Sequence, residues 1–121
     1  MAELSVTEDN EILQGIEEND ILDATGFTGT TLEGLAGDDA LLAGTDGTLN
    51  GGEGNDLLDG TAGGGGNALN GNAGDDILFG NNNDTLNGDA GDDILVGSNN
   101  DTLNGGDGAD LFFTFCTGAN T

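Results

Sequence analysis

Large apolar residues return along this chain at intervals of eight to eleven residues. They are Leu13, Leu22, Leu32, Leu41, Leu49, Leu58, Leu69, Leu78, Leu86, Leu95, Leu103 and Phe112. Each is the centre of a three-residue segment bounded by clusters of Gly, Asp and Asn, which is typical of a short strand between two tight turns. An interval this short leaves no room for a helix beside the strand. The pattern therefore predicts an all-β chain.

The apolar positions belong to a repeat that contains two strands. Residues 71–87 and 88–104 are nearly identical, and the same unit is present with small insertions in residues 15–33, 34–50 and 51–70. Half-units at 6–14 and 105–113 flank them. Repetition at this period indicates a solenoid. We predict a right-handed parallel β-roll of about six two-strand coils, with 17–20 residues per coil. Residues 1–121 form one domain, divided into a lead-in (1–5), repeats (6–113) and a tail (114–121).

Alternation of side chains along each strand predicts two facing columns of core residues. One sheet contributes Leu22, Leu41, Leu58, Leu78, Leu95 and Phe112, and the other contributes Leu13, Leu32, Leu49, Leu69, Leu86 and Leu103. A core with one large side chain per half-coil is thin compared with the conformational entropy lost when so many glycines are ordered. We expect the chain to need a further source of stability before it folds.

The charge of the chain indicates what that source is. There are 24 Asp and Glu residues and no Lys, Arg or His, which gives a net charge of −24. This balance excludes nucleic acid and anionic lipid as electrostatic partners and favours a hard cation with oxygen ligands. With no His and one cysteine, Cys116, the chain has too few ligands for zinc and cannot build a Ser-His-Asp triad. We predict neither enzymatic activity nor a small-molecule substrate.

One set of aspartates recurs at the same positions of the repeat, next to the first column of core residues. Each lies two residues before an inward Leu or Phe, and the set comprises Asp20, Asp39, Asp56, Asp76, Asp93 and Asp110. In a solenoid they would stack along one edge, where their mutual repulsion calls for a bridging cation. Neighbouring glycines permit turns that direct backbone carbonyls to the same place. The alternative of a disordered acidic tail does not explain this regularity, and the pattern predicts calcium.

Four segments resemble a known family. GGEGNDLLD, GNAGDDILF, GDAGDDILV and GGDGADLFF are similar to the nonapeptide G-G-x-G-x-D-x-U-x of RTX (repeats-in-toxin) proteins. The resemblance implies a calcium-binding β-roll in which Asp39, Asp56, Asp76, Asp93 and Asp110 are calcium carboxylates, with Asp20 a degenerate first member. It also implies an extracellular protein exported by type I secretion. The N-terminus has no basic and apolar pattern of a cleaved signal peptide, and no stretch is apolar enough for membrane insertion.

The other edge departs from the family pattern. Its corresponding residues are Glu11, Thr30, Gly47, Asn67, Asp84 and Asp101. Only Asp84 and Asp101 are candidate ligands, and their turns are one residue short. Stacked Asn side chains at 81–83 and 99–100 could replace calcium there with amide ladders. We expect about five ions on the first edge and none to two on the second.

Both broad faces suggest contacts. The first sheet turns an apolar strip outward, namely Ile21, Leu57, Ile77, Phe79, Ile94, Val96, Leu111 and Phe113. The second turns out ranks of Thr and Asn that look like the ice-binding face of some antifreeze proteins. Parallel solenoids also have open strand edges at their ends. Three functions follow: a structural protein that self-associates into filaments or a matrix, a calcium-dependent ice-binding protein, and a monomeric adhesion or calcium-buffering module.

Overall fold

The structure, a computed structural model, describes residues 1–98 and 100–115. Thirteen short strands form the regular structure of this part of the chain. They are β1 (Glu3–Ser5), β2 (Ile12–Gln14), β3 (Ile21–Asp23), β4 (Thr31–Glu33), β5 (Ala40–Leu42), β6 (Thr48–Glu53), β7 (Leu57–Asp59), β8 (Ala68–Ala73), β9 (Ile77–Phe79), β10 (Thr85–Asn87), β11 (Ile94–Gly97), β12 (Thr102–Asn104) and β13 (Leu111–Thr114). Within the described ranges, no helix is long and apolar enough to cross a membrane.

Successive strands alternate between two parallel sheets. The first sheet has the order β1-β3-β5-β7-β9-β11-β13, and the second has the order β12-β10-β8-β6-β4-β2. The register joins equivalent residues of successive coils, for example Leu78 with Leu95 and Leu69 with Leu86. This confirms the predicted parallel β-roll. Residues Glu3–Ser5 of the lead-in pair with β3 as strand β1, and Thr114 belongs to β13.

The core consists of the predicted leucines. Nine of them are completely buried, namely Leu22, Leu32, Leu41, Leu49, Leu58, Leu69, Leu78, Leu86 and Leu95. Leu13 and Leu103 pack against them and are partly buried. Phe112 is 49% exposed, because its strand β13 is the last of its sheet in the described chain. The strands on both sides of each turn are thus fixed by a core residue, so the corresponding turns of successive coils stack on one another.

Candidate metal centre

The first edge contains the predicted column of aspartates. Asp20, Asp39, Asp56, Asp76 and Asp93 are at most 3% exposed, and Asp110 in the last coil is half-buried. Each carboxylate reaches the coil before it through Oδ1. The N–H of Asp56 donates to Asp76 Oδ1 at 2.7 Å, and the N–H of Asp76 donates to Asp93 Oδ1 at 2.8 Å. The column is therefore a continuous ladder that ties each coil to the next.

Four aspartates of this column have a second carboxylate oxygen without a hydrogen-bond partner. Oδ2 of Asp39, Asp56, Asp76 and Asp93 is buried and has no hydrogen-bond partner. Leaving a buried polar atom unsatisfied is costly, and more so when it carries charge. Four such oxygens at equivalent positions of successive coils are suited to bind a positively charged ligand.

The loops before these aspartates share one backbone conformation. Five six-residue loops, at 34–39, 51–56, 71–76, 88–93 and 105–110, have positive φ at their second and fourth positions. The second residues are Leu35, Gly52, Asn72, Asp89 and Gly106, with φ between 72° and 105°, and the fourth are Gly37, Gly54, Gly74, Gly91 and Gly108, with φ between 112° and 124°. Paired left-handed residues turn peptide groups in a way that ordinary strands cannot. The loops are therefore built alike.

Carbonyl oxygens lie beside the unsatisfied carboxylate oxygens. A Cβ added to Gly34 would come 2.5 Å from both Asp39 Oδ2 and the carbonyl oxygen of Gly51 in the next coil. The same relation joins Gly71, Asp76 and Gly88. No N–H of the described residues donates to the carbonyl of Gly88. The first residue of each loop must be glycine, because a side chain would fill the space that these oxygens face.

Burial also changes the protonation of the column. Desolvation raises the pKa of Asp56 to about 6 and that of Asp76 to about 7, although the backbone N–H bound to each carboxylate opposes the shift. Neighbouring aspartates raise both pKa values further. Desolvation likewise raises the pKa of Asp39 and of Asp93. The column is therefore poorly suited to hold full negative charge unless a cation lies beside it.

Asp20 differs from the other members of its column. Its Oδ2 accepts the N–H of Ile16 at 2.7 Å, while its Oδ1 accepts the N–H of Ala2 at 2.9 Å. Neither Ile16 nor Glu18 adopts positive φ. With both oxygens satisfied by backbone amides, Asp20 leaves no buried oxygen for a cation.

The second edge satisfies its carboxylates in the same way as Asp20. Asp84 Oδ2 accepts the N–H of Asn81 at 2.7 Å, and Asp101 Oδ2 accepts the N–H of Ser98 at 2.6 Å. The shortened turn places that amide three residues before the carboxylate. Desolvation raises the pKa of Asp84, and the N–H groups of Asn81 and Asn67 oppose the shift. These carboxylates do not need a cation to satisfy them.

A hydrogen-bond ladder through Oδ1 also runs along the second edge. The N–H of Asp84 donates to Asp101 Oδ1, the N–H of Asn67 donates to Asp84 Oδ1, and the N–H of Gly47 donates to Asn67 Oδ1, each at 2.7 Å. Thr30, at the next position, is buried and its hydroxyl has no partner. Glu11, one coil further, accepts the N–H of Thr7 within its own turn.

Among the described residues of the predicted Asn ladder at 81–83 and 99–100, no side-chain amide donates to another. Asn81 donates to the carbonyls of Thr61 and Gly63, while Asn82 and Asn83 adopt positive φ. Asn99 lies outside the described residues. The amide ladder lies on the outward face of the second sheet instead, because there a strand holds equivalent side chains in register.

Sequence reasoning overlooked a second row of side chains on the first edge. Asp38, Asn55, Asp75 and Asp92 are exposed, and each accepts through Oδ1 an N–H of the next coil, as Asp75 does from Asp92 at 2.8 Å. An Asn or Asp immediately before the buried aspartate was the available signal. This row joins the coils from the solvent side.

The donor set fits calcium better than other metals. In the described part of the chain, no point is shared by three or more His, Cys, Asp or Glu side chains. A cation in this edge would therefore be held by one or two carboxylates and several backbone carbonyls. An all-oxygen shell with many carbonyl ligands suits Ca²⁺, whereas Zn²⁺ prefers nitrogen and sulfur.

Comparison with known proteins agrees with this geometry. A family model for the RTX calcium-binding nonapeptide repeat matches four times, at residues 43–64, 61–95, 81–99 and 94–114. Together the matches span more than half of the chain. The chain belongs to the RTX calcium-binding nonapeptide repeat family. RTX repeats form calcium-binding β-rolls, are typically structural rather than catalytic, and are typical of type I secreted proteins. Neither a curated protein nor a solved structure shows significant similarity to this chain.

Proposed function

We propose that this RTX protein folds as a β-roll around calcium ions that lie between successive loops of its first edge. The observation that carries the proposal is the set of buried, partnerless Oδ2 atoms of Asp39, Asp56, Asp76 and Asp93. A calcium ion in each gap would satisfy these oxygens and neutralise their charge. It would also link two coils through ligands from both.

Five loops of the same shape enclose four gaps, which suggests about four ions on this edge. The carboxylate ligands would be Asp39, Asp56, Asp76, Asp93 and Asp110, together with loop carbonyls. Asp20, Asp84 and Asp101 would serve as hydrogen-bond acceptors instead. The proposed set of calcium ligands is therefore smaller than the set predicted from the sequence, which included those three residues.

A matched pair of variants tests the assignment. Asp93→Asn and Asp101→Asn make the same substitution in one coil, on opposite edges. Calorimetric calcium titration should give fewer ions for Asp93→Asn, with a higher calcium concentration at the folding midpoint in circular dichroism. Asp101→Asn should keep the wild-type number of ions. Equal losses in the two variants would contradict the one-edge assignment.

We further propose an extracellular structural role in which copies of the protein associate. Extracellular calcium is plentiful, and type I secretion is typical of RTX proteins. Association is supported by the outer edges of β1 and β13, which pair with no further strand of the described residues, and by outward apolar residues such as Leu57 and Leu111, which are 41% and 57% exposed. Large species that form in calcium and dissociate with chelator in sedimentation velocity would support the polymer. A compact monomer in calcium would refute it.

Ice binding is the second candidate function. It is favoured by the alignment of Thr31 with Thr48 and of Thr85 with Thr102, beside ranks of Asn on the same outward face. Thr85→Tyr should then abolish ice shaping by a calcium-loaded monomer without changing its circular dichroism. A monomer that does not shape ice would leave an adhesion or calcium-buffering module.

A further inference from the structure

The four Asn-Gly steps of this chain all occupy one column of the roll. They are Asn50-Gly51, Asn70-Gly71, Asn87-Gly88 and Asn104-Gly105. The asparagines pair in register on the outward face of the second sheet, and each directly follows the inward leucine of its strand. Asn-Gly is the dipeptide most open to spontaneous deamidation, because glycine has no side chain to hinder attack by its own nitrogen.

The chemistry needs only water. The backbone nitrogen of glycine forms a bond to Cγ of the preceding asparagine while the Cγ–Nδ2 bond breaks. Ammonia leaves with the proton that the glycine nitrogen gave up. Water then opens the resulting imide at one of its two carbonyls, leaving aspartate or an isoaspartyl linkage. No electrons are transferred to or from another molecule.

The folded roll restrains both reacting groups. Asn70 Nδ2 donates to Asn50 Oδ1 at 2.9 Å, Asn87 Nδ2 donates to Asn70 Oδ1 at 2.8 Å, and Asn104 Nδ2 donates to Asn87 Oδ1 at 2.9 Å. The N–H of Gly88 donates to the carbonyl of Asn104 at 2.8 Å. Gly51 and Gly71 lie within strands β6 and β8. Attack on Cγ requires that these bonds break and the strand leave its extended form.

We propose that these steps are deamidation sites, protected by the amide ladder in the folded roll and exposed when the chain loses calcium and unfolds. The calcium dependence rests on the proposed function, whereas the protection by the ladder does not. Protection is unequal along the ladder. Among the described residues, Asn70 and Asn87 use both amide atoms, Asn50 uses only Oδ1, and the exposed Asn104 uses only Nδ2.

Deamidation would leave a lasting change in the fold. An aspartate at position 70 or 87 loses the donor of the ladder and adds charge to a chain that already carries −24. An isoaspartyl linkage adds a backbone atom to a strand and disturbs its register with the neighbouring coils. A chain kept without calcium should therefore lose, with time, the ability to refold when calcium returns.

The test follows deamidation at each asparagine under three conditions: calcium, chelator, and urea with calcium. Top-down mass spectrometry suits a chain without Lys or Arg, and circular dichroism records the folded fraction in each sample. In urea and in chelator all four asparagines should convert at similar rates. In calcium, Asn70 and Asn87 should convert at least about tenfold more slowly, since reaction follows the population of opened chain. Asn104 should be the least protected.

The two parts of the proposal fail separately. Equal rates for Asn70, Asn87 and Asn104 in folded protein would overturn protection by the ladder. A chelated chain that stays folded by circular dichroism would overturn the calcium-dependent step and the proposed function with it, while the comparison of calcium with urea would still test the ladder. Asn55 and Asn67, which are not followed by glycine, serve as internal controls.

A variant isolates the ladder from the fold. Asn87→Thr removes the donor to Asn70 Oδ1 and leaves the bond from Asn70 to Asn50 intact. In calcium, Asn70 should then deamidate several-fold faster, while the rate at Asn50 stays the same. Thr85→Val, on the same strand and outside the ladder, should change neither rate. An unchanged rate at Asn70 in folded Asn87→Thr would overturn the proposal.

Discussion

At the scale of single residues, the partner of one oxygen separates aspartates that are otherwise alike. Asp76 and Asp84 are both 1% exposed, and each accepts through Oδ1 an N–H of the preceding coil, from Asp56 and Asn67 respectively. Asp84 also accepts the N–H of Asn81 through Oδ2, whereas Asp76 Oδ2 has no partner. Burial alone therefore does not separate the proposed calcium ligands from the other buried aspartates, whereas the unsatisfied Oδ2 atom does.

The raised pKa values of the first column predict how the calcium-free roll responds to pH. Because the folded-state pKa values of Asp56 and Asp76, about 6 and about 7, exceed the ordinary value of 3.8, the folded chain binds more protons than the unfolded chain between these limits. Its stability therefore falls as pH rises through that window and recovers as pH falls. Circular dichroism in chelator should show more β structure at pH about 5 than at pH about 8.

Calcium-loaded protein should respond in the opposite direction. Protons compete with calcium for the same carboxylates, so calcium affinity should decrease as pH falls towards about 5. The double variant Asp56→Asn/Asp76→Asn should flatten the pH dependence in chelator. A wild-type spectrum in chelator that is identical at both pH values would contradict the raised pKa values.

Leu35 is the strained member of its loop row. It has φ of 78°, a conformation taken by Gly52 and Gly106 in equivalent loops. A side chain in this region costs about 1–2 kcal/mol, partly offset because glycine is more flexible when unfolded. Leu35→Gly should therefore raise the free energy of unfolding in calcium by up to about 1 kcal/mol. A lower urea midpoint for Leu35→Gly would contradict the strain.

At the scale of elements, the two edges of the roll are joined by different interactions. Strands pair in the same way in both sheets, but the first edge leaves buried carboxylate oxygens unsatisfied, whereas on the second edge both oxygens of Asp84 and of Asp101 accept backbone N–H groups. Asn67 continues the second ladder between Asp84 and Gly47. The second edge should accordingly be the part of the roll whose contacts depend least on calcium.

Removing Asn67 should weaken that edge. Asn67→Ala leaves the buried N–H of Gly47 without its acceptor, which should lower the free energy of unfolding by about 1–3 kcal/mol. The control is Asn55→Ala, which removes an equivalent acceptor from the exposed N–H of Asp75, where water can replace it; we expect about 0.5 kcal/mol or less. Urea unfolding in saturating calcium measures both, and equal effects would contradict the importance of burial.

At the scale of the whole molecule, a charge of −24 opposes compaction. Sodium chloride screens this repulsion, but the single charge of Na⁺ neutralises the carboxylates between successive loops less well than the double charge of Ca²⁺ does. Millimolar calcium should therefore fold the chain under conditions in which sodium chloride of equal ionic strength does not, and magnesium should be less effective because it requires a stricter octahedron. Folding by sodium chloride alone would mean that screening, rather than site binding, stabilises the roll.

The sequence by itself determined the period, the two leucine columns, the in-phase aspartates and the family. These features depend on local rules, namely the alternation of side chains along strands and the residues that turns require. Because the unit repeats many times, only one strand register satisfies these rules in every coil. The hydrogen bonds made by the short turns of Gly, Asp and Asn could not be predicted in the same way. The direction of a peptide group in a left-handed turn depends on its contacts with the neighbouring coil.

The tertiary structure decided which carboxylates are satisfied. Asp20, Asp84 and Asp101 were candidate ligands by sequence, although they match the repeat less well than Asp76 does, and a backbone amide donates to the second carboxylate oxygen of each of these three. It also placed the asparagine ladder on a sheet face rather than in the turns. The physical reason is that a hydrogen bond between coils requires a donor and an acceptor on adjacent coils to have the right distance and direction. Only the folded backbone sets the direction of each group.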